Sequence, residues 1–188
     1  MGETVEAHPF ELRLEIDMSS IITGLTTAQI AALDTAQIAA LTTEDIAAFT
    51  ATQIAALTTT QIPVLTTASI AAFSTAQVPY FTTTQIVALT TAQVAAIETA
   101  DFAKLTASQI AAIATDDIAV LTTPQIIALT TAQAGALTST QIANLTTTQI
   151  AAIETADIAK LSTAALAGLT TAQVAALTTD RKSTRLNS

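Results

Sequence analysis

An eight-residue unit repeats from Leu25 to Thr179 and begins as LTTAQIAALDTAQIAAL at residues 25–41. The repeat passes through nineteen complete octads without an insertion or a deletion, and we number the positions of each octad from 1, with Leu25 at position 1. A fixed short period predicts a solenoid, in which every repeat occupies one structural position and contacts its neighbours. A single long helix or coiled coil is disfavoured, because an eight-residue spacing drifts away from any helical stripe.

Positions 1 and 6 are the apolar positions of the octad. Position 1 is Leu, Phe or Ile throughout, and position 6 is Ile or Val except at Phe102, Ala134 and Leu166. Positions 4 and 8 accept polar, charged, proline or glycine residues. We therefore predict that positions 1 and 6 point into the core and that positions 4 and 8 face outward.

Threonine marks the place where each repeat begins a helix. Every complete octad has at least one Thr at position 2 or 3, and a Thr hydroxyl can accept a hydrogen bond from an unpaired amide of the first helical turn. Thr at position 2 with Gln at position 5 also matches the capping box. Pro124 at position 4 suits a helix whose cap is position 3. We predict a short helix in each octad, from about position 4 to position 1 of the next octad.

The expected fold class is an all-α solenoid, a superhelix with one short helix per octad, because helices this short need stacked neighbours for stability. A β-solenoid is the alternative, since Thr, Ile and Val favour strands. Its corners would need Gly, Asn or Asp, whereas the chain has only four Gly and abundant Ala, a helix former. Pro63 and Pro79, both at position 7, fit a helix poorly because proline lacks a backbone donor.

Composition divides the chain into three parts. Residues 1–24 are predicted to form an N-terminal strand and a degenerate cap, because PFELRLEID alternates apolar and charged residues and Ile22 falls at a core position of an incomplete octad. Residues 25–179 are the octapeptide-repeat solenoid. Residues 180–188, DRKSTRLNS, match the translation of a common sequencing adapter. We interpret them as a non-native or disordered tail.

A longer period of seven octads is superposed on the repeat. IETADFAKL and IETADIAKL begin seven octads apart, and LTTEDIAAF begins seven octads before the first of them. One interpretation is a tandem duplication of a seven-octad block. The other is that seven octads complete one superhelical turn, which would align Asp45, Asp101 and Asp157 along one edge.

No set of residues in the chain predicts catalysis, cofactor binding or metal binding, so we expect a protein that is not an enzyme. The only His is His8 and there is no Cys, so neither a catalytic triad nor a zinc cluster can be assembled. The acidic pairs Glu44–Asp45 and Asp116–Asp117 are interpreted as solvated residues at helix N-termini, where negative charge is favourable.

Charge and hydropathy also limit the partners. The net charge of -9 disfavours nucleic acid, because phosphate binding uses clustered Lys and Arg. Thr and Gln interrupt every apolar run well before the roughly 20 residues that a membrane-spanning helix needs. No small-molecule substrate is evident. The last octads leave Leu169, Val174 and Leu177 without a covering neighbour, so we expect self-association through the ends of the solenoid.

Two resemblances bear on function. LTTPQIIAL at residues 121–129 resembles the helix-opening segment of TAL-effector repeats, but the long repeat and basic face of that family are missing. That likeness implies shared capping and not DNA binding. Over residues 25–179, the L-T/S-T-x-Q-I/V-x-A pattern resembles octapeptide tracts of large bacterial surface or secreted proteins, some of adhesin or RTX character.

The second resemblance implies a non-enzymatic spacer or stalk segment of a larger protein, at an extracellular or cell-surface location. Ice binding, or another protein-interaction surface formed by ranks of Thr, is the alternative function. Capping argues against ice binding, because a Thr oxygen that is bonded to a helix amide is not free to order water.

Overall fold

The computed structural model describes residues 21–177, and within them each of the nineteen octads contains one short helix. No strand occurs among these residues, so the all-α solenoid is confirmed and the β-solenoid is wrong. The strand predicted at 9–17 and the tail at 180–188 lie outside the described residues. The helices are α1 (Thr27–Ala32), α2 (Thr35–Ala39), α3 (Thr43–Ala47), α4 (Ala51–Ala56), α5 (Thr67–Ala71), α6 (Thr83–Val87), α7 (Thr91–Ala96), α8 (Thr99–Phe102), α9 (Ala107–Ala112), α10 (Thr115–Ile118), α11 (Thr123–Ile127), α12 (Thr131–Ala136), α13 (Ser139–Asn144), α14 (Thr147–Ala152), α15 (Thr155–Ile158), α16 (Thr163–Ala167) and α17 (171–177), with 3-10 helices at Ile62–Val64 and Val78–Tyr80.

Each α-helix begins one residue earlier than predicted, because the N-cap is position 2 and not position 3. In α9 the cap is Thr106, whose extended backbone (φ -70°, ψ 158°) carries a side chain that accepts a hydrogen bond from the Gln109 amide. The helix ends at Ala112, and its C-cap Ile113 has left the helical conformation (φ -58°, ψ 128°). Eight residues therefore make a helix of about six residues and a two-residue extended corner. Pro124 becomes the second helical residue, where its missing N–H costs no helical hydrogen bond.

The two prolines at position 7 reduce their octads to a single 3-10 turn. Pro63 follows Ile62 in the first of them, and because proline has no backbone N–H it cannot continue an α-helix there. The Val64 amide donates to the Gln61 carbonyl at 3.2 Å, and the Leu65 amide then donates to the Ile62 carbonyl at 3.2 Å. In the ordinary octads the amide at position 1 of the next octad likewise donates to the position-6 carbonyl, as Leu33 does to Ile30. The proline octads therefore keep the register of the repeat.

Neighbouring turns of the superhelix lie three to four octads apart. α1 contacts α4, and α12 contacts both α9 and α15. The side-chain amide of Gln53 reaches the carbonyl oxygens of Ile22 and Leu25, which are 31 and 28 residues earlier. The helices in contact are three octads apart, and the bonds of Gln53 reach 28 and 31 residues back, so one turn takes three to four octads. The expectation that seven octads complete one turn is therefore wrong, because seven octads span about two turns.

Positions 1 and 6 form the core, as predicted. Ile110 and Ile113, for example, are 0% and 3% exposed, and Ile22 of the incomplete octad is also buried. Phe73 packs edge to face on Phe81 with the ring centroids 4.8 Å apart. Beside these rings lies a cavity of about 20 Å³ lined by eight apolar side chains. An apolar lining of this kind offers no polar group to hold water.

Positions 4 and 8 lie toward the surface. Position 4 is exposed in all nineteen octads, and position 8 is exposed or half-buried in all of them. The prediction for both positions is confirmed. Position 5 is the unexpected one, since it is polar in nearly every octad and yet buried through most of the array.

Candidate functional site: the glutamine ladder

The side chain at position 5 joins two turns of the superhelix. Gln109 is 2% exposed. Its Oε1 atom accepts a hydrogen bond from the Thr106 backbone amide at 2.6 Å, and its Nε2 atom donates to the carbonyl oxygens of Val78 and Phe81 at 2.9 and 2.7 Å. One side chain thus satisfies a donor at the start of its own helix and two acceptors at the end of a helix one turn below.

The same bonds recur along the array, and we call them the glutamine ladder. In every case Nε2 donates to the carbonyls of the residues 31 and 28 positions earlier, at distances of 2.6 to 3.2 Å. The residues that make them are Gln53, Gln61, Gln77, Gln85, Gln93, Gln109, Gln125, Gln133, Gln141, Gln149 and Gln173.

Helix ends explain why position 5 is glutamine. The last carbonyls of a helix have no partner within that helix, and a short helix consists largely of such ends. Glutamine carries an acceptor and two donors on one amide, whereas an ionised glutamate can only accept hydrogen bonds. The capping box that the sequence predicted is present at Gln109. The bonds between turns were missed, because finding them requires the number of octads per turn.

Aspartate at position 5 interrupts the ladder at four octads, with two different results. Asp45 still completes a capping box, since its Oδ2 accepts from the Thr42 amide at 2.9 Å. Asp117 accepts a hydrogen bond from the Thr91 hydroxyl at 2.6 Å. Both are buried, at 2% and 5% exposed, so the interpretation of these two as solvated residues is wrong. Their neighbours Glu44 and Asp116 are exposed, as predicted.

Asp101 and Asp157 form the second group. Each is the third residue of a four-residue helix whose N-cap is a glutamate, Glu98 or Glu154, and neither cap makes a side-chain hydrogen bond to its helix. Burial raises the pKa of Asp101 above its usual value, and the negative charge of Glu98 raises it further. Two acidic side chains at one helix start thus replace the neutral Thr and Gln of the ordinary octad.

Two further observations concern only the part of the chain that the structure describes. Among residues 21–177 no three or more His, Cys, Asp or Glu side chains come together in a group able to hold a metal ion. In the same part of the chain no helix has the length and apolar character needed to cross a membrane. His8 lies outside the described residues, as does the predicted end of the array at 178–179.

Fold and ladder together define a tandem-repeat protein with a helical solenoid. The family model of the ALTTAQ repeat matches residues 63–91, 94–131, 110–147 and 150–181. These matches cover more than half of the chain, and the chain therefore belongs to the ALTTAQ repeat family. Neither a curated protein nor a solved structure matches it.

Proposed function

We propose that the array is a non-enzymatic spacer or stalk segment of a larger bacterial surface or secreted protein. The observation that carries this proposal is the glutamine ladder, which ties each turn to the next through buried main-chain carbonyls. A polar side chain such as Gln109 is fully used in holding the turns together. The bacterial and surface context rests on the resemblance of the octads to tracts in such proteins.

A spacer needs a length that grows with the number of repeats. Packed helices lie about 8–10 Å apart, and one turn of this superhelix takes three to four octads. Each added turn should lengthen the array by about 10 Å, while the contacts within a turn stay the same. Repeat proteins behave in this additive way because each unit contacts only near neighbours.

Deletion of residues 97–152 removes seven octads and joins Ala96 to Ile153 with the octad pattern intact. We expect the protein to fold and its longest dimension in solution scattering to fall by about 20 Å, two helix layers. Deletion of residues 97–148 is the control, because it removes nearly as much chain but shifts the pattern by half an octad. Similar folding of both variants, or a dimension that shrinks as for a globule, would contradict the spacer.

Self-association through the C-terminal end belongs to the same proposal. Val174 is a position-6 residue, yet it is 47% exposed, and Leu166 at the same position is 42% exposed. We expect light scattering to show a mass that rises with concentration, and Val174→Gln to weaken that rise because it removes apolar area from the exposed patch. A monomer at all concentrations would refute this part of the proposal.

Ice binding is the alternative function. Only the position-2 hydroxyls act as caps, so the capping objection does not apply to position-3 threonines such as Thr27 and Thr59, which are exposed. A thermal-hysteresis measurement separates an ice-binding surface from a spacer.

A further inference from the structure

The two ends of the described solenoid expose different sides of the octad. At the N-terminal end the position-5 side chains are uncovered, since Gln29 is exposed and Gln37 is half-buried. The position-6 side chains of the same octads, Ile30 and Ile38, are buried. We call this end, residues 25–40, the position-5 face.

The C-terminal end shows the opposite pattern. Leu166 and Val174, at position 6, are exposed, whereas the position-5 residues of the same octads, Ala165 and Gln173, are buried. We call this end, residues 158–177, the position-6 face. Each helix thus turns position 5 toward the preceding turn and position 6 toward the following turn. The solenoid therefore has a direction, and its two ends are the two halves of the contact that joins its turns.

The position-5 face carries amide donors that the ladder leaves to solvent. The Oε1 atoms of Gln29 and Gln37 each accept a hydrogen bond from the N-cap amide of their own helix at 2.9 Å. The Nε2 atom of neither residue makes a hydrogen bond among residues 21–177. In the ladder the same atom donates to two carbonyls one turn below, as in Gln109. Two ladder donors, one octad apart, are thus unused.

The position-6 face carries the matching acceptors. A ladder glutamine bonds the carbonyls of one position 6 and of the position 1 that follows it. On this face two such pairs have no ladder partner among the described residues, namely Ile158 with Leu161 and Leu166 with Leu169. The carbonyls of Leu161 and Leu169 accept no hydrogen bond at all within residues 21–177. The two pairs are one octad apart, as are the two unused donors.

Apolar side chains accompany the polar groups on both faces. Position 1 is buried in every octad from Leu41 to Leu161, but Leu25 and Leu33 on the position-5 face are only half-buried. Leu169 on the position-6 face is half-buried as well. Contact between the two faces would remove this apolar surface from water, which favours association.

We propose that the partner of the position-6 face is the position-5 face of a second copy of this chain, so that Gln29 and Gln37 continue the ladder between copies. This inference rests on the self-association proposed above and names the surface that completes it. Because the two faces differ, the contact is heterologous, and each added copy presents a new position-6 face. The chain should therefore form polar filaments. Two position-6 faces packed together would instead bury carbonyls without donors, which is costly.

Variants that block one face each test the direction of assembly. Gln29→Glu with Gln37→Glu keeps an acceptor for each N-cap amide but removes the donors from the position-5 face. Leu166→Gln with Val174→Gln removes apolar surface from the position-6 face. In sedimentation velocity from micromolar to millimolar concentrations, the unmodified 188-residue chain should grow beyond dimers. Each double variant alone should associate at least about tenfold more weakly, since it lacks one half of the contact.

An equimolar mixture of the two double variants should form a dimer and grow no further, because each supplies the face that the other lacks. Ala92→Glu with Ala132→Glu is the matched control, since it adds two negative charges at exposed positions in the middle of the array. This control should assemble like the unmodified chain. Gln29→Glu alone, next to the neutral cap Thr26, should weaken assembly less than the double glutamate variant, and circular dichroism checks that all variants fold.

The outcomes separate this inference from the self-association on which it rests. A monomer at all concentrations would overturn both. Growth that stops at a dimer in the unmodified chain, association that the glutamate variants leave intact, or a mixture that forms no dimer would overturn the head-to-tail contact alone. Self-association through the C-terminal end would then join two position-6 faces.

Discussion

Replacement of Gln109 by Leu is expected to lower the free energy of unfolding by about 3–5 kcal/mol, because three hydrogen bonds are lost and their partners stay buried. The partners are the Thr106 amide and the carbonyls of Val78 and Phe81. Leucine has nearly the volume of glutamine, so the lower free energy of unfolding would result mainly from the lost hydrogen bonds and not from a change in packing. Urea denaturation followed by circular dichroism measures the change.

Gln29 provides the matched control for this experiment. It completes a capping box with Thr26 through a 2.9 Å bond, like Gln109, but it is exposed and no complete octad precedes its own. Gln29→Leu should therefore cost only the capping contribution, about 1 kcal/mol.

Glutamate substitutions separate capping from the bonds between turns. Glutamate serves as well as glutamine in a capping box, so Gln29→Glu should be nearly neutral. Gln109→Glu should be at least as harmful as Gln109→Leu, because it places a carboxylate against two carbonyl oxygens and removes the donor. Equal effects of the glutamate substitutions at both positions would show that the ladder contributes nothing beyond capping.

Local features of the fold could be predicted from the octad alone. The apolar positions, the Thr hydroxyl followed by Gln, and the abundance of Ala are all local to one octad. Together they predict one short helix per octad. Pro124 at position 4 favours a cap at position 3, because proline suits the first residue of a helix. The structure shows that proline at the second residue of a helix is equally free of cost, since the first four amides have no helical partner.

Contacts between turns could not be predicted from the octad. The contacts of Gln109 depend on which residues lie 28 and 31 positions earlier, and Asp117 contacts Thr91, 26 positions earlier. These spacings follow from the angle between successive helices. A polar residue that is kept at position 5 while position 4 varies was the available signal. The capping box alone accounts for a polar residue at position 5, so the sequence of one octad does not reveal the bonds between turns.

The octad LSTAALAG at residues 161–168 shows what the ladder does to spacing, because it lacks glutamine. Ala165 is at position 5 and is fully buried, and Gly168 is at position 8. Helix α16 packs on α13, and a Cβ atom added to Gly168 would fall within 3.0 Å of Ser139 backbone atoms. Small residues at both positions therefore let two backbones approach where no amide lies between them.

Gly168→Ala is expected to lower the free energy of unfolding by about 2–3 kcal/mol, because the added methyl group meets backbone that cannot move aside. Gly168 has φ -78°, which any residue can adopt, so the effect is steric and not conformational. Two other glycines serve as controls, because a Cβ atom there would meet fewer neighbouring atoms. A Cβ at Gly135 would lie 3.2 Å from the Lys160 carbonyl oxygen, and a Cβ at Gly24 would have nothing within 4 Å.

Alanine at these two control positions should have small effects for different reasons. At Gly135, inside α12, the tight contact is offset by the helix preference of Ala, worth about 1 kcal/mol. At Gly24 the substitution should be neutral or stabilising by about 0.5 kcal/mol, because it reduces the entropy of the unfolded chain. Thermal or urea unfolding should therefore show that Gly168→Ala has a much lower free energy of unfolding than the other two variants. If all three behave alike, α16 does not pack on α13 at the closeness that its small residues permit.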